Sequence, residues 1–261
     1  MSTQILNYVA VEVSGEGTPL LCIHGLGGSS NTWTPVLPAL EGFKVIRIDL
    51  PGSGRSPLGK TPLSIDFYVE TVERVLESLN IDKVHLVAHS MGTIVAAHFA
   101  AKHPEQVSSL ALFGPLLAPP DAARVGIQAR ADLAGSGGVA AMQEIADAVA
   151  KGATAQQTKD NQPAVIALVR ECIMRQSAEG YSQSCAALAK AQPAAVENIS
   201  APVLLVTGDQ DGVAPVAAVQ AFTERLSNAR MQTLEACGHW TTFEKPEQCV
   251  SELKNFYASI A

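Results

Sequence analysis

One serine of the sequence stands where a strand would turn sharply into a helix. Residues 88–92 read Ala-His-Ser-Met-Gly, and they follow an apolar run and precede a helical stretch. A serine on such a turn is pushed out of the sheet with its hydroxyl exposed, and the residues two before and two after it must be small. Ala88 and Gly92 meet that demand, although glycine is usual at the first of the two positions. The pattern predicts that Ser90 is a nucleophile.

A serine hydroxyl needs a neighbouring base, and the base needs a carboxylate that orients its ring. The apolar run at 202–207 ends in a loop that carries two acids, Asp209 and Asp211. We select Asp211 because it lies deeper in the loop, and we expect Asp209 to brace the turn. His239 follows a glycine after the last strand run, so a loop can carry its imidazole over the same edge of the sheet. The predicted catalytic triad is Ser90, Asp211 and His239.

The remaining histidines are expected to serve the structure. His89 neighbours the nucleophile, but a residue adjacent along such a turn points away from the serine hydroxyl, so we expect it to pack. The others lie on predicted strands or helices or in a different loop: His24, His85, His98 and His103. His239 is therefore the predicted base.

Acyl transfer also needs two backbone N–H groups that stabilise the developing oxyanion. Met91 follows the nucleophile and opens the helix, where N–H groups have no partner within the helix. The glycine-rich loop 24–30 follows the first parallel strand and offers the N–H of Leu26. The same loop lacks the glycine patterns of nucleotide sites, and the sequence has no H-E-x-x-H zinc motif. We predict an oxyanion hole from Leu26 and Met91, with no cofactor and no metal.

Six short apolar runs separate longer helical patterns and predict buried parallel strands. They occupy residues 19–24, 44–49, 84–89, 107–113, 202–207 and 231–235. Helical patterns fall between them, as at 66–79 and 93–102, and this alternation is typical of an α/β doubly wound sheet. Residues 5–13 have strand character and end at a turn-prone Gly-Glu-Gly, so we expect an antiparallel edge hairpin or meander there.

The alternation of strand and helix patterns ends at about residue 115 and resumes at about residue 198. Between these positions the sequence has helical patterns and many alanines. We predict an inserted helical cap at 115–198 and an α/β core formed by 1–114 and 199–261. Within the cap, the Gly-Ser-Gly-Gly run at 135–138 is expected to separate two helices, because glycine destabilises a helix interior.

The composition is typical of a globular protein. Hydrophobic residues make up 47% of the chain and charged residues 16%, and the net charge is -7. The sequence has no basic cluster for nucleic acid or anionic lipid, no apolar run of about 18 residues that could span a membrane, and no secretory signal pattern. We expect a cytoplasmic protein that binds neither nucleic acid nor membrane. A homo-oligomer stays possible.

Several motifs together resemble the α/β-hydrolase superfamily over almost the whole chain. They are His-Gly-Leu-Gly at 24–27, Asp-Leu-Pro-Gly-Ser-Gly-Arg-Ser at 49–56, the Ser90 turn, the Asp211 loop and the Gly-His pair at 238–239. The resemblance implies an α/β-hydrolase fold, with a mostly parallel sheet of about eight strands flanked by helices and an inserted helical cap. Residues 177–188 look like the 3-oxoadipate enol-lactonase and esterase branch, which implies lactone hydrolysis.

The cap departs from that branch in ways that bear on the substrate. Tyr181 is its only aromatic residue, and its candidate cations are Arg124, Arg130, Arg170 and Arg175. These features disfavour a dianionic lactone, and we expect a small, largely apolar substrate. The candidate residues of the substrate pocket are Gly25, Trp33, Tyr181 and Trp240.

The residues and the resemblance together predict a serine hydrolase that cleaves an ester or lactone. Ser90, deprotonated by His239, attacks the carbonyl and forms an acyl-enzyme that water then hydrolyses. Two other functions stay open on the same fold. One is a hydrolase that cleaves a carbon–carbon bond with the same triad, and the other is a receptor that binds a ligand without consuming it.

Overall fold

A computed structural model describes residues 2–260 and contains an eight-stranded sheet. The strands are β1 Ser2–Leu6, β2 Val9–Ser14, β3 Thr18–Ile23, β4 Phe43–Ile48, β5 Val84–His89, β6 Val107–Phe113, β7 Val203–Gly208 and β8 Ala229–Leu234. Their order is β1-β2-β4-β3-β5-β6-β7-β8. The β1/β2 and β2/β4 pairs are antiparallel, and the pairs from β4/β3 to β7/β8 are parallel. The predicted α/β-hydrolase fold class is therefore confirmed.

Helices connect the strands and cover the sheet. The α-helices are α1 Ile65–Ser78, α2 Met91–Lys102, α3 Asp121–Gly152, α4 Gln156–Asn161, α5 Pro163–Met174, α6 Ala178–Lys190, α7 Val216–Glu224, α8 Thr241–Glu244 and α9 Pro246–Ile260. The 3₁₀-helices that the structure describes occupy Ser30–Ala39, Pro104–Gln106 and Val196–Asn198. Within residues 2–260, each helix is too short or too polar to cross a membrane.

The two faces of the sheet carry separate apolar cores because side chains alternate along a strand. On β3, Leu21 and Ile23 belong to the same apolar cluster as buried residues of α1, α2 and α7. Their neighbours Leu20 and Cys22 pack on the other face with α9 and the 3₁₀-helix Ser30–Ala39. The central strands are thus covered on both sides, which explains why they appear in the sequence as short continuous apolar runs.

Helix α1 illustrates how the local sequence sets an element. The Ser64 Oγ accepts a hydrogen bond from the Phe67 N–H at 3.1 Å, which caps the first turn. Val69, Val72 and Leu76 recur at helical spacing and are buried against the sheet. The amphipathic pattern therefore predicted this helix to within a residue or two.

The N-terminal edge differs from the expected run at 5–13, because the chain turns after β1. Asn7 and Tyr8 have φ values of 48° and 68° and form the turn of an antiparallel hairpin. Positive φ at both central residues is the geometry of a tight two-residue hairpin turn, and asparagine tolerates it well. The Gly-Glu-Gly turn instead connects β2 to β3.

The structure between β6 and β7 is helical, as expected for 115–198. Helix α3 is broken at Gly138, where φ is 57° and ψ is −138°, so the glycine run separates two helical parts as predicted. Residues of α3, α5 and α6, which include Met142, Ile145 and Val169, form an apolar cluster together with Trp240 and Phe243. The division of the chain into a core and a cap domain stays a prediction. We use "cap segment" below for residues 115–198.

Candidate active site

The turn from β5 to α2 places Ser90 in a strained conformation. Ser90 has φ 52° and ψ −124°, and non-glycine residues in such regions cost about 1–3 kcal/mol. Its backbone N–H donates to the Phe113 carbonyl at 2.9 Å, which ties the turn to the end of β6. A Cβ on Gly92 would lie 2.4 Å from the Ile23 carbonyl oxygen, so the small residue expected here is a steric requirement.

Gly92→Ala is expected to lower the free energy of unfolding by about 1–3 kcal/mol, because backbone atoms of β3 would have to move. Urea denaturation of the purified variant would measure the change. Gly126→Ala is the matched control, since a Cβ at Gly126 in helix α3 meets nothing within 4 Å. We expect the control to be neutral or stabilising, because alanine favours helix. Equal losses in both variants would contradict the steric explanation.

The structure brings Ser90, His239 and Asp211 into one hydrogen-bonded chain. The His239 Nε2 lies 2.8 Å from the Ser90 Oγ, and the His239 Nδ1 lies 2.8 Å from the Asp211 Oδ2. All three side chains are buried. Gly114, at the end of β6, makes room for the imidazole, because a Cβ there would lie 2.8 Å from its Cε1. With a proton on Nδ1, the ring can accept the serine proton at Nε2.

Asp211 is held as an ionised carboxylate. Burial by itself raises its pKa, but the His239 ring and two backbone N–H groups outweigh burial and lower the pKa to about 2. Those N–H groups belong to Val213 and Ala214, and each donates to Oδ1 at 2.8 Å. Asp209 instead accepts the Cys237 N–H at 3.1 Å, which is the bracing role expected for it.

The loop predicted to help form the oxyanion hole lies against Ser90. A Cβ on Gly25 would be 2.6 Å from the Ser90 Cβ, and Leu26 borders the same cavity as Ser90. Met91 is the first residue of α2, so its N–H has no partner within the helix. The Gln176 side chain supports this loop, since its Nε2 donates to the carbonyls of Gly27 and Gly28. The oxyanion role of Leu26 and Met91 stays a prediction.

His89 packs beside the site, as expected, and also supports it. Burial and the neighbouring His239 lower the pKa of His89 to about 3, so its ring is neutral at physiological pH. Its Nε2 lies 2.9 Å from the His239 carbonyl oxygen, to which the N–H of a neutral ring can donate a hydrogen bond. The other four histidines make hydrogen bonds away from Ser90: His24, His85, His98 and His103.

A cavity of about 770 Å³ opens beside the serine hydroxyl. Ser90, His239, Tyr181 and Trp240 lie in its wall, so two of the predicted pocket residues do line it. Gly25 lies behind Ser90 and is outside that wall.

The prediction for Trp33 is wrong. Trp33 is 0% exposed and packs edge-on against Phe113, with ring centroids 6.2 Å apart. It belongs to the core on the α9 face of the sheet, because the 3₁₀-helix that carries it covers that face. Its nearness in sequence to the glycine-rich loop gave no information about the direction of its side chain.

Two polar residues near the site were missed by the sequence analysis, Gln176 and Glu244. Gln176 reaches loop residues almost 150 positions away, and Glu244 accepts hydrogen bonds from both the His239 loop and the cap segment. No local pattern marks such residues, because their partners are backbone groups brought close only by the fold. Neither residue stands out in the sequence, since Gln176 lies between Arg175 and Ser177 and Glu244 lies between Phe243 and Lys245.

Comparisons with known proteins agree with this architecture. A family model described as alpha/beta hydrolase fold matches residues 18–141, and one described as TAP-like protein matches residues 171–258. The dihydrolipoyllysine-residue acetyltransferase component of the acetoin cleaving system of Pseudomonas putida is 44% identical over 103 residues, 39% of this chain and 28% of that protein. Pimeloyl-[acyl-carrier protein] methyl ester esterase of Aeromonas hydrophila is 38% identical over 104 residues, 39% of each chain. These matches span well under half of either relative.

Likeness of fold extends over the whole chain. The enol-lactonase of Burkholderia xenovorans LB400 superposes with a TM-score of 0.89 at 24% identity, covering 98% of this chain and 100% of that one. At this identity the likeness concerns the fold alone. The two family models match the sequence from the start of β3 into α3 and from α5 into α9. The superposed structure covers both of these parts and the residues between them. The chain therefore has the α/β-hydrolase fold, and residues 18–141 match the family model of that name.

Proposed function

We propose that the protein is a serine hydrolase that cleaves a carboxylic ester or lactone of a small, largely apolar substrate. The observation that carries this proposal is the hydrogen-bonded chain from Ser90 through His239 to Asp211, at the wall of a cavity. A base within reach of the hydroxyl and a carboxylate behind the base are what serine nucleophiles require. The Aeromonas relative named as a methyl ester esterase and the structural neighbour named as an enol-lactonase support an ester bond as the target.

The proposed reaction proceeds through an acyl-enzyme. Ser90 Oγ attacks the carbonyl carbon while its proton passes to His239 Nε2. His239 then donates that proton to the leaving oxygen. The alcohol of an ester departs, whereas the hydroxyl of an opened lactone stays attached to the acyl group, and in both cases the acyl group stays on Ser90. Water next loses a proton to His239, attacks the acyl carbon and releases the acid, and the proton returns to Ser90. Asp211 stays ionised throughout and stabilises the imidazolium.

The oxyanion forms on the side of Ser90 where α2 begins and where the glycine-rich loop lies. In the proposal, the N–H groups of Met91 and Leu26 donate to it, and each such donor lowers the barrier by about 2.7–4 kcal/mol. Gly25 must stay small for this, because a Cβ there would collide with the Ser90 Cβ at 2.6 Å. The absence of a side chain at position 25 lets the loop backbone approach the reacting carbon.

The cavity favours an apolar substrate with at most one acidic group. Its wall includes Leu116, Ile127, Val149 and Phe222, and in the part of the chain that the structure describes its only Lys, Arg, Asp or Glu is Arg130. The Arg130 guanidinium lies beside the Tyr181 hydroxyl. Since no described carboxylate forms an ion pair with Arg130, a substrate carboxylate could take that place.

Arg130→Leu is expected to lower kcat/KM about 10- to 100-fold for esters that carry a carboxylate, because a hydrogen bond to a charged group would be lost. Neutral esters of the same length should change little. Steady-state kinetics on matched pairs of neutral and acidic esters would measure the difference. Arg170→Leu is the control, since Arg170 lies on helix α5 and pairs with Asp147 outside the cavity. An equal loss for neutral and acidic esters would exclude charge recognition by Arg130.

A panel of p-nitrophenyl esters, simple lactones and a dienol β-diketone would test the proposed function, with release of acid or loss of colour as the readout. Hydrolysis of esters or lactones that disappears in Ser90→Ala supports it. Cleavage of the diketone alone would replace it with carbon–carbon hydrolysis. Compounds that raise the melting temperature without being consumed, together with no turnover, would favour a receptor.

A further inference from the structure

Glu244 is a buried carboxylate with four hydrogen-bond donors around it. It ends the short helix α8, and its residue is 2% exposed. Its Oε2 accepts the Ala155 N–H at 2.7 Å, the Thr158 Oγ1–H at 2.8 Å and the Gly238 N–H at 3.1 Å. Its Oε1 accepts the Trp240 N–H at 3.1 Å. Both oxygens of the side chain are therefore occupied.

These donors come from two different parts of the molecule. Gly238 and Trp240 are the residues on either side of His239 in the sequence. Ala155 and Thr158 belong to the cap segment, at the link from α3 into α4. One carboxylate thus joins the backbone on both sides of the imidazole to the cap segment.

Other contacts strengthen this junction. The His239 N–H donates to the Ala153 carbonyl at 2.9 Å, so His239 itself contacts the same link. A Cβ on Gly238 would lie 2.7 Å from the Ala155 nitrogen, which shows how closely the two backbones approach. The Asp211 loop also contacts the connection from α3 to α4, because the Gln156 N–H donates to the Gln210 Oε1 at 2.9 Å. Both loops that orient the predicted base therefore meet residues 153–158.

Burying a carboxylate is costly unless hydrogen bonds replace its water. Among residues 2–260, no Lys or Arg forms an ion pair with Glu244, so the four donors must supply that compensation. Removing the carboxylate would leave three backbone N–H groups and one hydroxyl without their acceptor, and buried unpaired donors make the surrounding backbone move. The backbone that would move is the one that carries His239.

We propose that Glu244 is a positioning residue that holds His239 against Ser90 and makes that position depend on the cap segment. The inference rests on the proposed function, since it assumes that His239 is the base. A displacement of about 1 Å at a reacting group can lower a rate by about 10²-fold. Glu244 acts through the backbone of the His239 loop and does not itself contact the substrate cavity.

Three variants of the full chain test the proposal: Glu244→Ala, Glu244→Gln and the control Glu247→Gln. Glu247 is an exposed glutamate three residues further on, in the first turn of α9. Glu244→Ala is expected to lower kcat and the rate of labelling by a fluorophosphonate about 10²-fold, with little change in KM. In Glu244→Gln, the amide oxygen can still accept the three donors at Oε2, so we expect partial rescue. Glu247→Gln should behave like the wild type.

A second readout does not depend on turnover. The His239 Nδ1–H, hydrogen-bonded to Asp211, should give a downfield proton NMR signal in the wild type and in Glu247→Gln. We expect this signal to be shifted or lost in Glu244→Ala. If the wild type is not labelled but the signal still depends on Glu244, the proposed function fails and the positioning role stands.

Thr158→Val tests the contribution of the cap segment by itself. It removes one hydrogen-bond donor of the cap segment to Glu244 and leaves the donors Gly238 and Trp240 in place. We expect an intermediate loss of labelling rate and a lower melting temperature, because the buried carboxylate loses one of its four donors. Folded Glu244→Ala and Glu244→Gln variants with wild-type labelling rates and an unchanged NMR signal would overturn the proposal. If Glu244→Ala does not fold, Glu244→Gln and Thr158→Val decide the question.

Discussion

Replacing Ser90 by alanine is expected to lower kcat for ester hydrolysis by about 10⁶-fold, since loss of a serine nucleophile removes the acyl-enzyme route altogether. KM should change little, because the cavity wall keeps its other residues. The intact mass after incubation with a fluorophosphonate provides an independent measurement. The wild type should gain one adduct, and Ser90→Ala should gain none. An adduct of equal yield on Ser90→Ala would place the nucleophile elsewhere.

Ser90→Gly is the companion variant, and it should separate catalysis from stability. Ser90 lies at φ 52°, a conformation that glycine adopts without strain and alanine does not. Both variants should be inactive. In urea denaturation, the free energy of unfolding of Ser90→Gly should exceed that of Ser90→Ala by about 1 kcal/mol or more. Equal stabilities would mean that the turn is not strained. A positive result would indicate that the protein tolerates strain in order to expose the serine hydroxyl.

Asp211→Asn is expected to lower kcat by about 10⁴-fold while the fold stays intact. An amide can donate its own N–H to the His239 Nδ1, and this selects the tautomer whose Nε2 carries a proton and cannot accept one from Ser90. Steady-state kinetics on the best ester of the panel would measure the loss. Asp209→Asn makes the same chemical change two residues away, at a carboxylate that braces the Cys237 N–H. We expect this control to lose far less activity, and equal losses would argue against Asp211 as the orienting acid.

The same variant carries a prediction about pH. The pKa of Asp211 is lowered from 3.8 to about 2 in the folded protein, so the folded state favours the ionised form. The stabilisation of the folded state by the ionised Asp211 carboxylate is fully present above about pH 4, and it is lost as the pH falls towards 2. The difference in unfolding free energy between the wild type and Asp211→Asn should therefore grow by about 2 kcal/mol from pH 2 to pH 5. Guanidinium denaturation across that range would measure it, and a constant difference would show that the carboxylate is not selectively stabilised.

The sequence was sufficient for the features that depend on local rules. The six apolar runs became β3 to β8. The central strands are short and almost continuously apolar because they are buried on both faces, whereas β8 lies at the edge of the sheet and is mostly half-buried. The break at Gly138 followed from the low helix preference of glycine. The small residue at Gly92 and the position of Asp211, instead of Asp209, beside His239 also agree with local arguments, one from steric space at a turn and the other from position in a loop.

Tertiary structure alone decided which side chains share a cavity and which residues support the loop that carries His239. Trp33 follows the glycine-rich loop in the sequence, but its 3₁₀-helix covers the opposite face of the sheet, so the ring belongs to the core. Glu244 and Gln176 form hydrogen bonds with backbone groups that are far away along the chain. Patterns of period two or 3.6 predict which face of an element is buried, because that depends on neighbouring residues. They carry no information about which distant backbone N–H a buried carboxylate will meet, because that depends on how the elements pack.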